Sequence, residues 1–211
     1  MVKTIITEKG VISTPGSGVE IHGKVTFDDR WDDLHGTIHD GTGPTSLPYE
    51  AYRDTGFFMR FFRHNKADTI SMMYQMPHEW NGTAIRPHIH CIPMSAGSGD
   101  VVLDYAFTWS HVNGALSGSI GWSSSSMTRT FAASDQYRHL IINLGLQTPL
   151  PENSHDSSIF IIRVKRNVAS DTYQTAKDHG TPAANVAIIS FDLHYRKGKG
   201  GSTTELPEVE L

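Results

Sequence analysis

A single cysteine, Cys91, stands in 211 residues. One thiol cannot staple the chain, and it excludes zinc sites built on cysteine pairs. A chain that needs no disulfide is compatible with a reducing cytoplasm. Net charge is equally small: 18 Lys and Arg against 22 Asp and Glu leave a formal charge of −4. Without a basic excess there is no polyanion-binding footprint, so no nucleic-acid partner is expected. No apolar run approaches the roughly 20 residues of a helical membrane span, and Met1–Glu8 has no signal-peptide hydrophobic region, so no membrane partner is expected. Helical periodicity is missing too: nowhere do apolar residues recur at i, i+3, i+4 and i+7 over three turns. There is no P-loop, no G-x-G-x-x-G and no G-x-S-x-G elbow, and no pair of carboxylates is singled out. The sequence offers no catalytic set and calls for no cofactor.

What the sequence has in quantity is alternation. Leu103, Tyr105, Phe107 and Trp109 fall on one side of a period-two pattern, with Asp104, Ala106, Thr108 and Ser110 on the other. That is a half-buried strand of the antiparallel kind. Ile70, Met72, Tyr74 and Met76 repeat the pattern, as do Phe160, Ile162 and Val164, and Ile189, Phe191, Leu193 and Tyr195. Further strands are expected over 58–64 and 86–94, and weaker ones over 19–27, 127–133 and 139–144. Many short strands separated by Gly, Ser, Pro and Asn predict an all-β antiparallel β-sandwich, jelly-roll-like, in a single domain with flexible termini; a closed barrel is the alternative all-β layout that pattern alone does not separate from it.

The domain is expected over 19–197. Residues 1–18 read as an N-terminal arm ending in a hinge, Thr14-Pro15-Gly16-Ser17-Gly18, and 198–211 as a flexible C-terminal tail. Extended, the arm would reach roughly 60 Å at ~3.3 Å per residue. Residues 35–49 read as a long loop. The uncharged stretch 114–126 reads as a loop, or as a surface packed on a neighbouring subunit, since interface cores are depleted in charge.

Twelve histidines raise the question of a metal. In Arg86-Pro87-His88-Ile89-His90 the two imidazoles lie two residues apart, so on a strand they share a face. Gly82, His88 and His90 fit the first part of the cupin pattern G-x5-H-x-H-x3,4-E, but Met94 and Ser95 stand where the glutamate belongs, and Ala96 after them is no glutamate either. His194 would add a third ligand if its strand were adjacent, giving His88, His90 and His194 as the candidate metal set. The alternative is a polar layer of hydrogen-bonded histidines. Asp28-Asp29-Arg30-Trp31-Asp32-Asp33 is an acidic cluster without the ligand pattern of a calcium loop, and reads as a solvated turn. Cys91 falls on the strand face opposite His88 and His90, which argues against a Cys/His nucleophile.

Gln75, Pro77, His78, Trp80, Gly82, Thr83, Pro87, His88 and His90 resemble a pattern, Q-x-P-H-x-W-x-x-G-T-x-x-x-P-H-x-H-W, of a family of tailed-phage and prophage proteins. The Trp80–Gly82 spacing is one residue short, and Cys91 replaces the usual tryptophan. Trp31–Leu34 resembles the family's D-D-L element, Leu103–Trp109 its E-Y-x-W strand, Arg163–Arg166 with Asp171-Thr172-Tyr173 its R…D-T-Y element, and Ser190–Tyr195 its closing F-D-I-H-Y strand. The resemblance spans 31–197. It implies a non-catalytic virion structural protein, assembled in the host cytoplasm, with a capsid decoration (cement) protein as the leading expectation. Its partners would be the major capsid protein or other virion proteins, and it would form a homo-oligomer, a trimer or a dimer. The alternatives are a connector, neck or tail-fibre component that binds a partner or a host glycan through Trp31, Trp80 and Trp122, and a cupin-like metal-binding protein.

Overall fold

The computed structural model describes residues 6–7, 10–11, 30–40, 48–116, 125–173 and 184–198. Two short strands, β1 (Ile6–Thr7) and β2 (Gly10–Val11), form a separate antiparallel ladder. The strands that follow are β3 (Arg30–His35), β4 (Thr37–Asp40), β5 (Tyr49–Ala51), β6 (Phe58–Phe62), β7 (Thr69–Gln75) and β8 (Arg86–Pro93). Then come β9 (Gly99–Ser110), β10 (Ser126–Phe131), β11 (Leu140–Asn143), β12 (Ile159–Arg166) and β13 (Val186–Lys197). Among the described residues the only helical turns are two three-residue 3-10 turns, Ala133–Asp135 and Pro151–Asn153.

Two antiparallel sheets make a jelly-roll-like β-sandwich. The first has the order β10-β9-β12-β7-β4. The second has the order β11-β8-β13-β6-β5, with β3 also pairing with β13. From β6 to β9 the chain changes sheet at every connection, and it does so again from β10 through β13. Such crossing follows from alternation, because each strand buries one face and the next must cover it. The core forms between Ile70, Met72, Tyr74, Phe160, Ile162 and Val164 of the first sheet and Phe62, Ile89, Cys91, Phe191, Leu193 and Tyr195 of the second. The Tyr74 hydroxyl crosses the gap and donates to the Phe191 carbonyl at 3.1 Å.

Three expectations are corrected. The acidic run does not form a turn where it is described: Arg30–His35 is strand β3, and its register on β13 holds Asp32 opposite Tyr195 and Asp33 opposite His194. The long loop expected over 35–49 contains β4, which pairs with β7. Ile189 does not join Phe191, Leu193 and Tyr195 in the core. It is the extra residue of a β-bulge, 42% exposed, between the Ile188–Cys91 and Ser190–His90 pairs. The expected strand over 19–27, the hinge over 14–18, all but the first residue of the C-terminal tail over 198–211 and most of the uncharged loop over 114–126 lie outside the described residues.

The turn after β7 shows why Trp80 and Gly82 sit two residues apart. Trp80 is fully buried, stacked on Trp109 with centroids 5.7 Å apart and planes 6° from parallel. Its Nε1 donates to the Thr83 carbonyl at 3.1 Å. Closing that ring requires Gly82 at φ +77°, where a Cβ would lie 2.5 Å from the Ser154 carbonyl oxygen. Gly82→Ala is therefore expected to cost about 1–3 kcal/mol, through the left-handed backbone and the clash together. A urea midpoint that falls at unchanged m-value would report it; an unchanged midpoint would refute the steric argument.

Candidate metal centre

The bulge at Ile189 decides which way the histidine-bearing strand faces. Before it, Val186 and Ile188 point into the core; after it, Phe191, Leu193 and Tyr195 do. The shift by one residue turns Ser190, Asp192 and His194 outward. On the neighbouring β8, Ile89 and Cys91 occupy the core, so His88 and His90 also face outward. The register then sets His88 opposite Asp192 and His90 opposite Ser190. On the other edge of β13, β3 sets Asp33 opposite His194 and His35 opposite Asp192. His139, just before β11, closes the group from the far side of β8.

The result is one connected array of five imidazoles and two carboxylates. His88 Nε2 lies 3.0 Å from His90 Nε2. His90 Nε2 is also 3.0 Å from Asp192 Oδ2, and His90 Nδ1 is 2.6 Å from His139 Nε2. Asp192 Oδ1 accepts from His35 Nδ1 at 2.8 Å. His194 Nε2 pairs with Asp33 Oδ1 at 2.6 Å, and its ring packs on that of His88 with centroids 4.4 Å apart. The inner members are shielded, with His88 3% and Asp192 6% exposed. The outer ones are open: the side chain of His35 is 76% exposed, and those of His194 and Asp33 are 40% and 54% exposed.

Protonation follows these surroundings. Burial, reinforced by the neighbouring His194 and His90, lowers the pKa of His88 and keeps its imidazole neutral. His88 Nδ1 faces the Arg86 carbonyl at 3.5 Å. A proton on Nδ1 leaves the Nε2 lone pair aimed at His90. His35 moves the other way, its pKa raised by the hydrogen bond and charge of Asp192. On the opposite side of the sheet, burial pushes the Cys91 thiol up to about 12, so it supplies neither a nucleophile nor a thiolate ligand near neutral pH.

The three histidines named from the sequence lie together, but their ligand atoms sort into two sets. His88, His90 and Asp192 offer atoms that all lie within 4.8 Å of one another, and so do Asp33, His88 and His194. Sequence reasoning missed Asp33, His35, His139 and Asp192. A signal for three of them existed: Asp33-Leu34-His35 and Asp192-Leu193-His194 repeat the two-residue spacing of His88-Ile89-His90. The calcium alternative loses Asp32, which accepts from Lys197 Nζ at 2.7 Å and from the Tyr195 hydroxyl at 3.2 Å. Lys197 also pairs with Glu79 at 3.0 Å.

No family model matches the chain, and no curated protein matches it. Among solved structures, 81% of the chain is similar to xylanase 10C (mutant E385A) from Cellvibrio japonicus in complex with xylopentaose, at 12% identity and a TM-score of 0.34. A CBM22-1–GH10 fragment of Clostridium thermocellum xylanase 10B, complexed with xylohexaose, is similar over 86% of the chain at 7% identity, TM-score 0.34. The chain spans only 28% and 29% of those two proteins. A carbohydrate-binding module specific for non-crystalline cellulose, CBM28, is covered to 87% by 77% of this chain, at 11% identity and a TM-score of 0.32.

Proposed function

We propose that this chain is a non-catalytic structural protein of a tailed-phage virion, a capsid decoration protein that stabilises the head as a trimer or dimer. The observation that carries the reading is the ordered run of five resemblance elements over 31–197. Burial of Trp80, Arg166, Asp171, Tyr173 and Asp192 fits a family whose shared residues maintain a scaffold. A surface suited to assembly supports it further. Tyr49, Phe57 and Phe58 are 60%, 73% and 55% exposed at the edge of the second sheet, and the Tyr49 and Phe58 rings lie 5.6 Å apart. Exposed aromatic clusters of this kind mark protein contacts. Modest contacts suffice in a shell, because linked sites act at high effective concentration.

Particles of the encoding phage are expected to carry this chain over the capsid lattice when viewed by cryo-electron microscopy. The double substitution Phe57→Ser/Phe58→Ser is expected to leave folding intact and to weaken capsid binding by about 2 kcal/mol per ring, roughly 30-fold each. Unchanged occupancy would remove the aromatic edge from the interface. Density confined to the unique vertex would favour a second reading, a neck or tail component that binds a partner or host glycan. Trp31 is the observation behind that reading: it is 44% exposed, with Arg86 and Arg196 within 5.5 Å and 5.0 Å of its ring. Trp80, the second tryptophan considered for that role, is buried and unavailable. Trp122 lies outside the described residues.

A further inference from the structure

We propose that His88, His90 and Asp192 hold one divalent first-row transition ion, of the zinc class, on the outer face of the second sheet. Their facing atoms have the spacing of a coordination sphere. With bonds of about 2.0–2.1 Å, ligand atoms around a tetrahedral ion stand about 3.3 Å apart. His90 Nε2 lies 3.0 Å from both His88 Nε2 and Asp192 Oδ2. Two imidazoles and a carboxylate are a donor set that zinc and its neighbours accept, leaving further positions for water.

The outer partners favour this set over Asp33, His88 and His194. Metal-binding imidazoles engage their second nitrogen with another polar group, and ligating carboxylates are hydrogen-bonded in turn. Here every second atom is engaged: His88 Nδ1 faces the Arg86 carbonyl at 3.5 Å, His90 Nδ1 meets His139 Nε2 at 2.6 Å, and Asp192 Oδ1 accepts from His35 at 2.8 Å. The competing set depends on two exposed side chains, Asp33 and His194. The ion would occupy the place of the proton that His90 Nε2 shares with Asp192 and His88. That proton relocates to His90 Nδ1, which then donates to His139 Nε2. His139, exposed to water, moves its own proton to Nδ1, so the tautomer shift balances without loss of charge. The ion would tie β8 to β13 across their pairing, and the site stands apart from the assembly proposed above.

The test uses the full chain, prepared without a polyhistidine tag and treated with chelator. Titration with Zn²⁺ is expected to show one tight equivalent, and Co²⁺ a visible spectrum of nitrogen and oxygen coordination. His90→Gln and Asp192→Asn are each expected to weaken Zn²⁺ binding by more than ~100-fold, beyond the 10–100-fold expected for the outer partner in His139→Ala. His194→Ala is expected to change it only a few-fold. Absence of a stoichiometric ion overturns the proposal, and so does binding lost in His194→Ala yet retained in folded Asp192→Asn. Should Asp192→Asn fail to fold, the exposed His139→Ala carries the test, and unchanged affinity there overturns the assignment.

Discussion

Replacing Arg166 with alanine is expected to cost about 3–5 kcal/mol, the loss typical when one partner of a buried ion pair is removed. Arg166 is fully buried at the end of β12, and its Nε donates to Asp171 Oδ2 at 2.6 Å. Its Nη1 donates to the Phe62 carbonyl at 3.1 Å and to the Ala184 carbonyl at 2.8 Å. Phe62 ends β6 in the opposite sheet, and Ala184 leads into β13. One guanidinium therefore ties the two sheets together, and its planar fork is what lets it reach three partners. Alanine would leave the Asp171 carboxylate buried without its guanidinium, strand two carbonyls and open a cavity. For a chain of this size the loss corresponds to a fall in Tm of roughly 6–20 °C. Arg166→Met with Asp171→Leu is expected to recover part of it, because replacing a whole buried pair by apolar groups removes the uncompensated charge. A fall in Tm of under about 2 °C in Arg166→Ala would contradict the clamp.

A loss of similar size, about 3–5 kcal/mol, is expected for Trp80→Ala. The indole is fully buried between the turn after β7 and Trp109 of β9. Trp80 also bridges to Lys197, and the Asn81 amide donates to the Arg196 carbonyl at 3.0 Å, so the turn grips the end of β13. Removing the ring deletes a large apolar contact and loosens the strand that carries Asp192 and His194. Trp80→Phe keeps most of the stack but loses the Nε1–Thr83 hydrogen bond, worth about 1 kcal/mol, and is expected to fall between the two. Chemical denaturation separates the three proteins. Equal stability of Trp80→Phe and Trp80→Ala would mean that stacking on Trp109 contributes nothing.

Alternation made most of the core legible. In Phe160, Ile162 and Val164, and in Ile70, Met72 and Tyr74, the sequence pattern and the buried face coincide, because an uninterrupted strand keeps its period of two. The same rule failed at Ile189, where a bulge adds one residue and reverses the phase. It also failed at Phe61 and Phe62, which are both buried. Phe62 enters the main core, while Phe61 joins Ile92, Met94 and Ala187 in a second apolar cluster. Local pattern cannot show that both faces of a strand are covered. Nor did Arg30–Asp33 reveal a strand, since Trp31 and Leu34 stand three residues apart among charged ones and lack the period-two apolar alternation on which strand reading depends.

By itself the sequence determined the class of fold, the antiparallel pairing habit and the face shared by His88 and His90, because period and composition are local properties of the chain. The partners of those histidines were decided by tertiary structure alone. Asp33, His139, Asp192 and His194 come from segments more than 100 residues apart at the extremes, and only the order β11-β8-β13-β3 makes them neighbours. Strand order and register arise from packing two sheets against each other, and a single bulge was enough to choose which side chains meet outside the core.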